Sequence, residues 1–358
     1  MEEYWLWLCS QKELYRRHIA CMLGRFATPE GVFRASKREI EKVGGISAEQ
    51  AEALDKSRQG FDGRESLEKL EKQGMRFISI AQGQYPDRLR RIPDPPFGLF
   101  VKGGLPEEGK RSVGIVGARR CSSYGRRMAE ELAASLAQCG AQIISGMAMG
   151  IDGYAQGAAL REGGASFAVL GCGADVCYPR QNRELYGRLP ESGGVLSEYP
   201  PGKEPLPLHF PIRNRLISGL SDVLLVIEAR ERSGSLITAD LALEQGKDVY
   251  ALPGRVGDPL SAGCNYLISQ GAGIISSGKE LLESLNFHKP NHKKKENPKN
   301  LLETREKVLY SCVDLHPKSL HEIASEAGLP IQEIMAALTA LEMKGIVEEP
   351  MKNYYVRR

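Results

Sequence analysis

The spacing of apolar positions changes along this chain, and each change marks a different kind of structure. From residue 1 to about 80, Leu14, Ile19, Leu23 and Phe26 recur at helical intervals, and Pro29 follows Thr28 as a first-turn proline follows a capping hydroxyl. A small all-α domain is expected over 1–80. The Pro-rich stretch Tyr85–Phe97 breaks the periodicity, so 81–109 reads as a connector. From 110 to 285 the pattern becomes short β-branched runs: Ser112–Val116, Gln142–Ser145, Phe167–Leu170, Gly194–Glu198, Asp222–Ile227, Asp248–Leu252 and Gly273–Ile275. Each is followed by a Gly-rich turn and usually by an amphipathic segment. Near-continuous apolar strands separated by helices predict βαβ units, and so a doubly wound, mostly parallel α/β sheet covered on both faces.

Residues 286–300 hold five lysines and one glutamate with no apolar pattern, which predicts a basic linker. The remainder, 301–358, returns to helical spacing in Ser319–Leu329 and Ile331–Leu341 and ends in the short runs Ile346–Glu349 and Tyr354–Arg357. That order predicts a winged helix-turn-helix. A length of 358 residues suits this division into two or three domains.

Composition adds exclusions. The eight cysteines form no CxxC pair and no regular framework, so they read as structural thiols in a reducing compartment. Cys172 and Cys177 lack a nearby histidine to complete a metal set, and no metal or cofactor is expected. The apolar run Tyr4–Cys9 is shorter than a signal-peptide core and follows two glutamates, and no stretch is long enough to span a bilayer. A cytoplasmic protein without membrane contact is expected.

A net charge of +3 would not suggest nucleic acid, but its distribution does. The four regions 1–109, 110–285, 286–300 and 301–358 carry +1, 0, +4 and −2. Within the neutral α/β region, Arg119, Arg120, Arg126 and Arg127 follow the first strand, Arg180 and Arg183 the third, and Arg213 and Arg215 precede the fifth. Loops at the carboxyl ends of an open parallel sheet converge on its ligand site, so these arginines are expected to gather into a polyanion site. In the N-terminal region, Ile40–Ala51 loosely resembles a helix-hairpin-helix, although a Gly turn joining two helices without a ligand is the preferred reading.

Nucleotide-binding motifs fail on inspection. Gly114-Ile-Val-Gly117 sits at a strand-to-helix turn, yet the second strand ends in Ser145-Gly146 where a Rossmann dinucleotide site needs an acidic residue. Gly104–Lys110 resembles a P-loop, but Arg111 replaces the magnesium-binding hydroxyl and the segment precedes its strand. His209 is the sole histidine of the α/β region, Asp152 is read as a helix N-cap, and no nucleophile–base pair can be identified. Ser233-Gly-Ser235 with Thr238 places hydroxyls and N–H groups at a helix start, a fit for an anion.

Together the motifs resemble one family. Ile115-Val-Gly-Ala-Arg119 with Ser122-Ser-Tyr-Gly125, Ser145-Gly-Met-Ala-Met-Gly-Ile-Asp152, Val169-Leu-Gly-Cys-Gly173, Tyr178-Pro-Arg-Gln-Asn182, Ser197-Glu198, Phe210-Pro-Ile-Arg-Asn-Arg215, Ser233-Gly-Ser235, Pro253-Gly254 and Gly271-Ala272 occur in the order seen in the DprA (Smf) family of DNA-processing proteins. The resemblance covers roughly residues 85–285. It implies a homodimer, joined through the α/β domain, that binds incoming single-stranded DNA during natural transformation, protects it, helps displace single-strand-binding protein and loads RecA for homologous recombination. It also implies DNA contacts at Arg119 and Arg180, with neighbouring positions at Ser122, Ser145, Gly146, Gly171, Gly173, Gln181, Asn182, Arg213 and Asn214. Gln156 stands where the family usually has histidine.

A single-strand binder pairs cations that track phosphate with flat faces on which bases stack, and arginine supplies both. Tyr124 or Tyr178 could add aromatic faces, although Tyr178 is read as core-packed. The rival is an enzyme, because the loop Ser233–Thr238 also resembles that of the lysine-decarboxylase-like nucleoside-monophosphate phosphoribohydrolases. A transcription factor is a third reading, weakened by the −2 charge of 301–358 and by Lys344 as the lone base of its presumed recognition helix, 331–344. The winged helix is therefore expected to be a partner surface.

Overall fold

The computed structural model describes residues 1–287, 304–314 and 316–357. It divides into two compact units, one of Met1–Arg120 with Ala129 through the end of the α/β region, the other of Cys121–Met128 with the C-terminal residues. The N-terminal helices are α1 (Glu2–Cys9), α2 (Arg16–Phe26), α3 (Pro29–Arg34), α4 (Lys37–Glu41), α5 (Ala48–Arg58) and α6 (Gly63–Lys72). The apolar run that is too short for a signal peptide forms α1. A helix apolar on every side must be covered on every side: Trp7 and Leu8 enter the cluster of α2–α5, while Trp5, Leu6 and Cys9 pack with sheet residues such as Phe100 and Ala168. The chain turns from α4 to α5 through Gly44-Gly45, with Gly45 at φ +86°, and reciprocal capping pairs Ser36–Glu39 and Ser47–Gln50 start the two helices.

Two strands lie outside the expected alternation. β1 (Met75–Ser79) falls inside the stretch read as all-helical, and β2 (Gly98–Gly103) inside the stretch read as a connector, with α7 (Asp87–Arg90) between them. The expectation fails there because β2 gains its stability from non-local pairing: it runs antiparallel between β1 and a strand nearly a hundred residues later. Then follow β3 (Ser112–Val116), α8 (Ser123–Gln138), β4 (Gln142–Ser145), α9 (Ile151–Arg161), β5 (Ser166–Leu170), α10 (Arg183–Ser192), β6 (Gly194–Ser197), α11 (His209–Leu220), β7 (Val223–Val226), α12 (Gly234–Glu244), β8 (Asp248–Ala251), α13 (Ala262–Ser269), β9 (Gly273–Ile274) and α14 (Gly278–Ser284). Every predicted strand of the α/β region is present. Asn286 and Phe287, assigned to the linker, still belong to this unit: Phe287 is buried and its N–H bonds the Leu282 carbonyl. The rest of the expected linker lies outside the described residues.

The sheet order is β1-β2-β6-β5-β4-β3-β7-β8-β9, parallel from β6 through β9. Strands β3 to β6 are laid down outward in one direction. Then α11 returns the chain across β3, and β7 to β9 are laid down in the other. This reversal places a topological switch between β3 and β7, where the loops beyond their carboxyl ends diverge and leave a crevice.

The C-terminal residues form α15 (Thr304–Cys312), β10 (Lys318–Ser319), α16 (Leu320–Ala327), α17 (Ile331–Met343), β11 (Val347–Met351) and β12 (Tyr354–Arg357) around Leu309, Ile323, Ile334, Leu338 and Leu341. This is the expected winged helix, with β10 as an added third strand.

One largely buried ion pair joins α11 to the residue after β6 and to the segment after α7. Arg215 Nη2 donates to both carboxylate oxygens of Glu198 at 2.7 Å, and its Nε to the Asp94 carbonyl at 2.9 Å. Changing Glu198→Ala should strand a buried guanidinium and lower unfolding free energy by about 3–5 kcal/mol in urea denaturation. The double change Glu198→Leu with Arg215→Met should cost less than that single change; an equal or larger loss would show that the pair's burial is not the dominant cost.

Candidate nucleic-acid interface

The crevice beyond β3 and β7 is a cleft of about 700 Å³ lined by Gly117–Arg120, Asp152, Tyr178, Phe210, Arg213, Asn214, Arg230 and the start of α12. Its walls meet because two glycines permit close approach. A Cβ on Gly117 would lie 2.7 Å from the Ile151 side chain, and Gly150, at φ +78°, leaves no room for one against the Ala118 carbonyl. Ile151 N–H then bonds that carbonyl at 3.2 Å, tying the loop after β3 to the start of α9.

At the base lie two buried charged residues, both bonded to Gly146. Asp152 accepts the Gly146 N–H at 3.1 Å, and Arg213 Nη1 donates to the Gly146 carbonyl at 3.1 Å. Burial pushes the Asp152 carboxyl above its usual range, with Arg213 and local N–H donors opposing the shift. Burial pushes the Arg213 guanidinium down to about 10, with Asp152 opposing. Asp152 is therefore not the helix cap expected from its position. Gly150 is the N-cap, and the Asp152 carboxylate reaches back to hold the loop after β4. Nor is Arg213 an open phosphate ligand, at 5% exposure.

The exposed cations lie on the rim. Arg119 and Arg120 are exposed, and the Arg119 guanidinium sits 5.5 Å from the centre of the Phe210 ring. Phe210 in turn lies 5.4 Å from Tyr178, the planes inclined by 31°. Tyr178, expected in the core, is 40% exposed: the turn after β5 projects it over Phe210 instead of inward. Arg180 and Gln181 are exposed on the same turn, while Asn182 Nδ2 donates to the carbonyls of Met147 and Ala148 at 2.9 and 3.0 Å and so anchors it to the loop after β4. Gln181 and Asn182 line a neighbouring hollow of about 340 Å³ with Arg161 and Arg188.

The other predicted positions shape loops. Ser145 Oγ is buried and donates to the Ile115 carbonyl at 2.6 Å. Gly171 is buried beneath Phe210, Gly173 N–H bonds the Lys203 carbonyl at 2.9 Å, and Asn214 Nδ2 donates to the Gly234 carbonyl at 3.2 Å. Ser122 accepts the Gly125 N–H at 3.0 Å within the stretch Cys121–Met128, which also carries Arg126 and Arg127 and groups with the other unit. The expected gathering of all these arginines is thus corrected: Arg213 is buried and Arg215 is committed to Glu198, because α11 is packed too deeply to present them. Gln156 is buried, accepting the Met147 N–H at 3.0 Å and donating to Ser166 Oγ at 3.2 Å. Sequence reasoning missed Phe210 and Arg230. Arg230 follows β7 as Arg119 follows β3, but Glu228 and Glu231 hide it in a charge count. Among the described residues, no group of three His, Cys, Asp or Glu could hold a metal.

The fold is thus an open, doubly wound α/β sheet whose switch-point crevice is rimmed by exposed arginine and aromatic rings. Family comparison narrows this class. Residues 76–286 match the model of DNA recombination-mediator protein A, and residues 293–349 that of the DprA winged helix domain. The DNA processing protein DprA of Streptococcus pneumoniae is 45% identical over 59% of this chain and 74% of its own, and protein Smf of Escherichia coli 40% identical over 77% and 76%. The crystal structure of the S. pneumoniae protein superposes with a TM-score of 0.68 at 35% identity, over 80% of this chain and 99% of that one. The Helicobacter pylori DNA processing protein A, whose structure describes its single-stranded DNA binding mode, superposes with a TM-score of 0.53 at 30% identity, over 59% of this chain and 97% of that one. The chain belongs to the DprA family of DNA-processing proteins.

His209, beneath the cleft, stacks on Tyr199 at 4.1 Å and places its Nδ1 3.1 Å from the Gly171 carbonyl. Burial holds its pKa below the ordinary 6.5, and the same holds for His18. A depressed histidine contributes stability that is fully present above the unfolded value and is lost as pH falls from there toward the folded value. Melting temperature should therefore drop between pH ~7.5 and ~5.5, and His209→Gln, which keeps a donor for Gly171, should show a smaller drop. Equal drops in both proteins would remove His209 as a source.

Proposed function

We propose that this protein binds single-stranded DNA in the switch-point crevice and catalyses no reaction there. One observation carries the reading: the run Arg119–Phe210–Tyr178, with Arg180 exposed on the same turn as Tyr178, sets cations for phosphate beside rings for bases. In this proposal Arg119 and Arg180 contact phosphate, and Gln181, Asn182 and Asn214 contribute polar contacts. Ser145, Gly146, Gly171, Gly173 and Arg213 shape the loops around them. Kinship with the S. pneumoniae protein and the single-strand binding of the H. pylori one support extending this to the family's role: a homodimer that protects incoming DNA, displaces single-strand-binding protein and loads RecA in natural transformation. The C-terminal winged helix serves a partner protein in this scheme, since Lys344 is engaged by both Glu306 oxygens at 2.6 and 2.7 Å.

Among the described residues that line the crevice, no base stands beside a nucleophile, and its one carboxylate, Asp152, is committed to the Gly146 N–H. Incubation with nucleoside monophosphates should release no free base; release that is abolished by Asp152→Asn or Glu228→Gln would favour an enzyme.

Changing Arg119 and Arg180 together to alanine should flatten the slope of log affinity against log salt by about 1.4, at roughly 0.7 per phosphate contact on a single strand. Because both side chains are exposed, stability should fall by no more than ~0.5 kcal/mol per substitution. An unchanged salt slope in a folded double variant overturns the assignment.

A further inference from the structure

The far wall of the crevice holds a feature that the rim arginines do not use. Helix α12 begins there at Gly234, and its N-cap, Ser233, makes no capping bond with its own helix. Its hydroxyl instead lies 2.8 Å from Ser235 Oγ, so two hydroxyls stand together at the opening. The N–H groups of Gly234 and Ser235 have no intrahelical acceptor, and no acidic residue occupies the first turn. The turn is held in place rather than loose: Asn214 Nδ2 and Thr238 Oγ1 both donate to the Gly234 carbonyl at 3.2 Å. Arg230 is exposed and lines the same wall.

A second observation is independent of the helix. Arg213 is 5% exposed and lines this cleft, and its buried Nε has no hydrogen-bond partner. One carboxylate, Asp152, lines the cleft against the cations Arg119, Arg120, Arg213 and Arg230. The local charge is therefore left positive on both walls, and the helix dipole adds to it on the α12 side.

We propose that the start of α12, with Ser233, Ser235 and Arg230, is a second phosphate site, facing the Arg119 rim across the crevice and taking another phosphate of the same bound strand. This rests on the single-strand reading above. The ligand group is either an internal phosphodiester or a terminal phosphate of the strand; the N–H groups, hydroxyls and cation suit both.

Ser233→Asp is the discriminating variant, since aspartate caps a helix as well as serine does while repelling phosphate. The full chain carrying it should melt no lower than the unaltered protein yet bind a single-stranded oligonucleotide at least tenfold more weakly at low salt. Arg230→Ala, at an exposed position, should flatten the salt slope by about 0.7. Oligonucleotides with a 5′-phosphate and with a 5′-hydroxyl separate the sources. A preference for the phosphorylated end that Ser233→Asp erases assigns a terminal phosphate, and equal loss on both assigns an internal one. Unchanged affinity and slope in both variants, while the Arg119 and Arg180 double variant weakens binding, overturns the second site alone. Absence of single-strand binding in the unaltered protein overturns the proposed function and this inference with it.

Discussion

The functional half of the molecule depends on a buried guanidinium. Arg213 lies under Gly146 so closely that a Cβ there would come within 2.6 Å of Nη2. From that position it bonds the Gly146 carbonyl while Asp152 takes the Gly146 N–H, so both polar groups of one peptide turn are met by opposite charges. Two charges buried this deep add little net stability compared with an apolar core, and their value lies in the geometry they specify. Here they join α11, α9 and the loop after β4. Asn182 then hangs the turn after β5 from that loop, and Asn214 holds the start of α12. The crevice is thus assembled from distant segments whose positions answer to one charge.

The residues of the crevice fall into two groups, those that hold its loops and those exposed on its rim. Ser145, Gln156 and Arg213 are buried and spend their hydrogen bonds inside the protein. Arg119, Arg180 and Tyr178 are exposed, and their flat or charged groups lie outside the core. Gln156 belongs to the first group: its buried amide serves Met147 and Ser166 at once.

Much of this was legible in the linear sequence. The alternation of apolar runs with helical stretches located every parallel strand, because strands buried on both faces must be apolar throughout and must alternate with covering helices. Arginine after strand ends pointed to the crevice for the same reason, since parallel sheets present those ends together. The helical start, the wing and the apolar character of α1 also follow from local spacing alone. Two strands did not: β1 lies in the stretch read as helical and β2 in the Pro-rich stretch read as connector, and their conformation comes from pairing, β1 with β2 and β2 with β6.

Which side chains stay exposed at the crevice was decided by packing that no local pattern encodes. Arg119 follows β3 and Arg213 lies on α11, yet one is exposed on the rim and the other is the buried lock, because α11 is buried from Arg213 to its end. Asp152 looked like a cap because capping is the local use of aspartate at a helix start; the nearby Gly146 N–H and Arg213 gave it another. Tyr178 looked like core because large aromatics usually are, yet the turn beyond β5 lays it on Phe210, a residue 32 positions later that only the fold brings near. Sequence alone determined the architecture and the chemical character of the site, since both arise from periodicity and residue type. The tertiary structure determined each residue's role, since burial and partners depend on where the chain crosses itself.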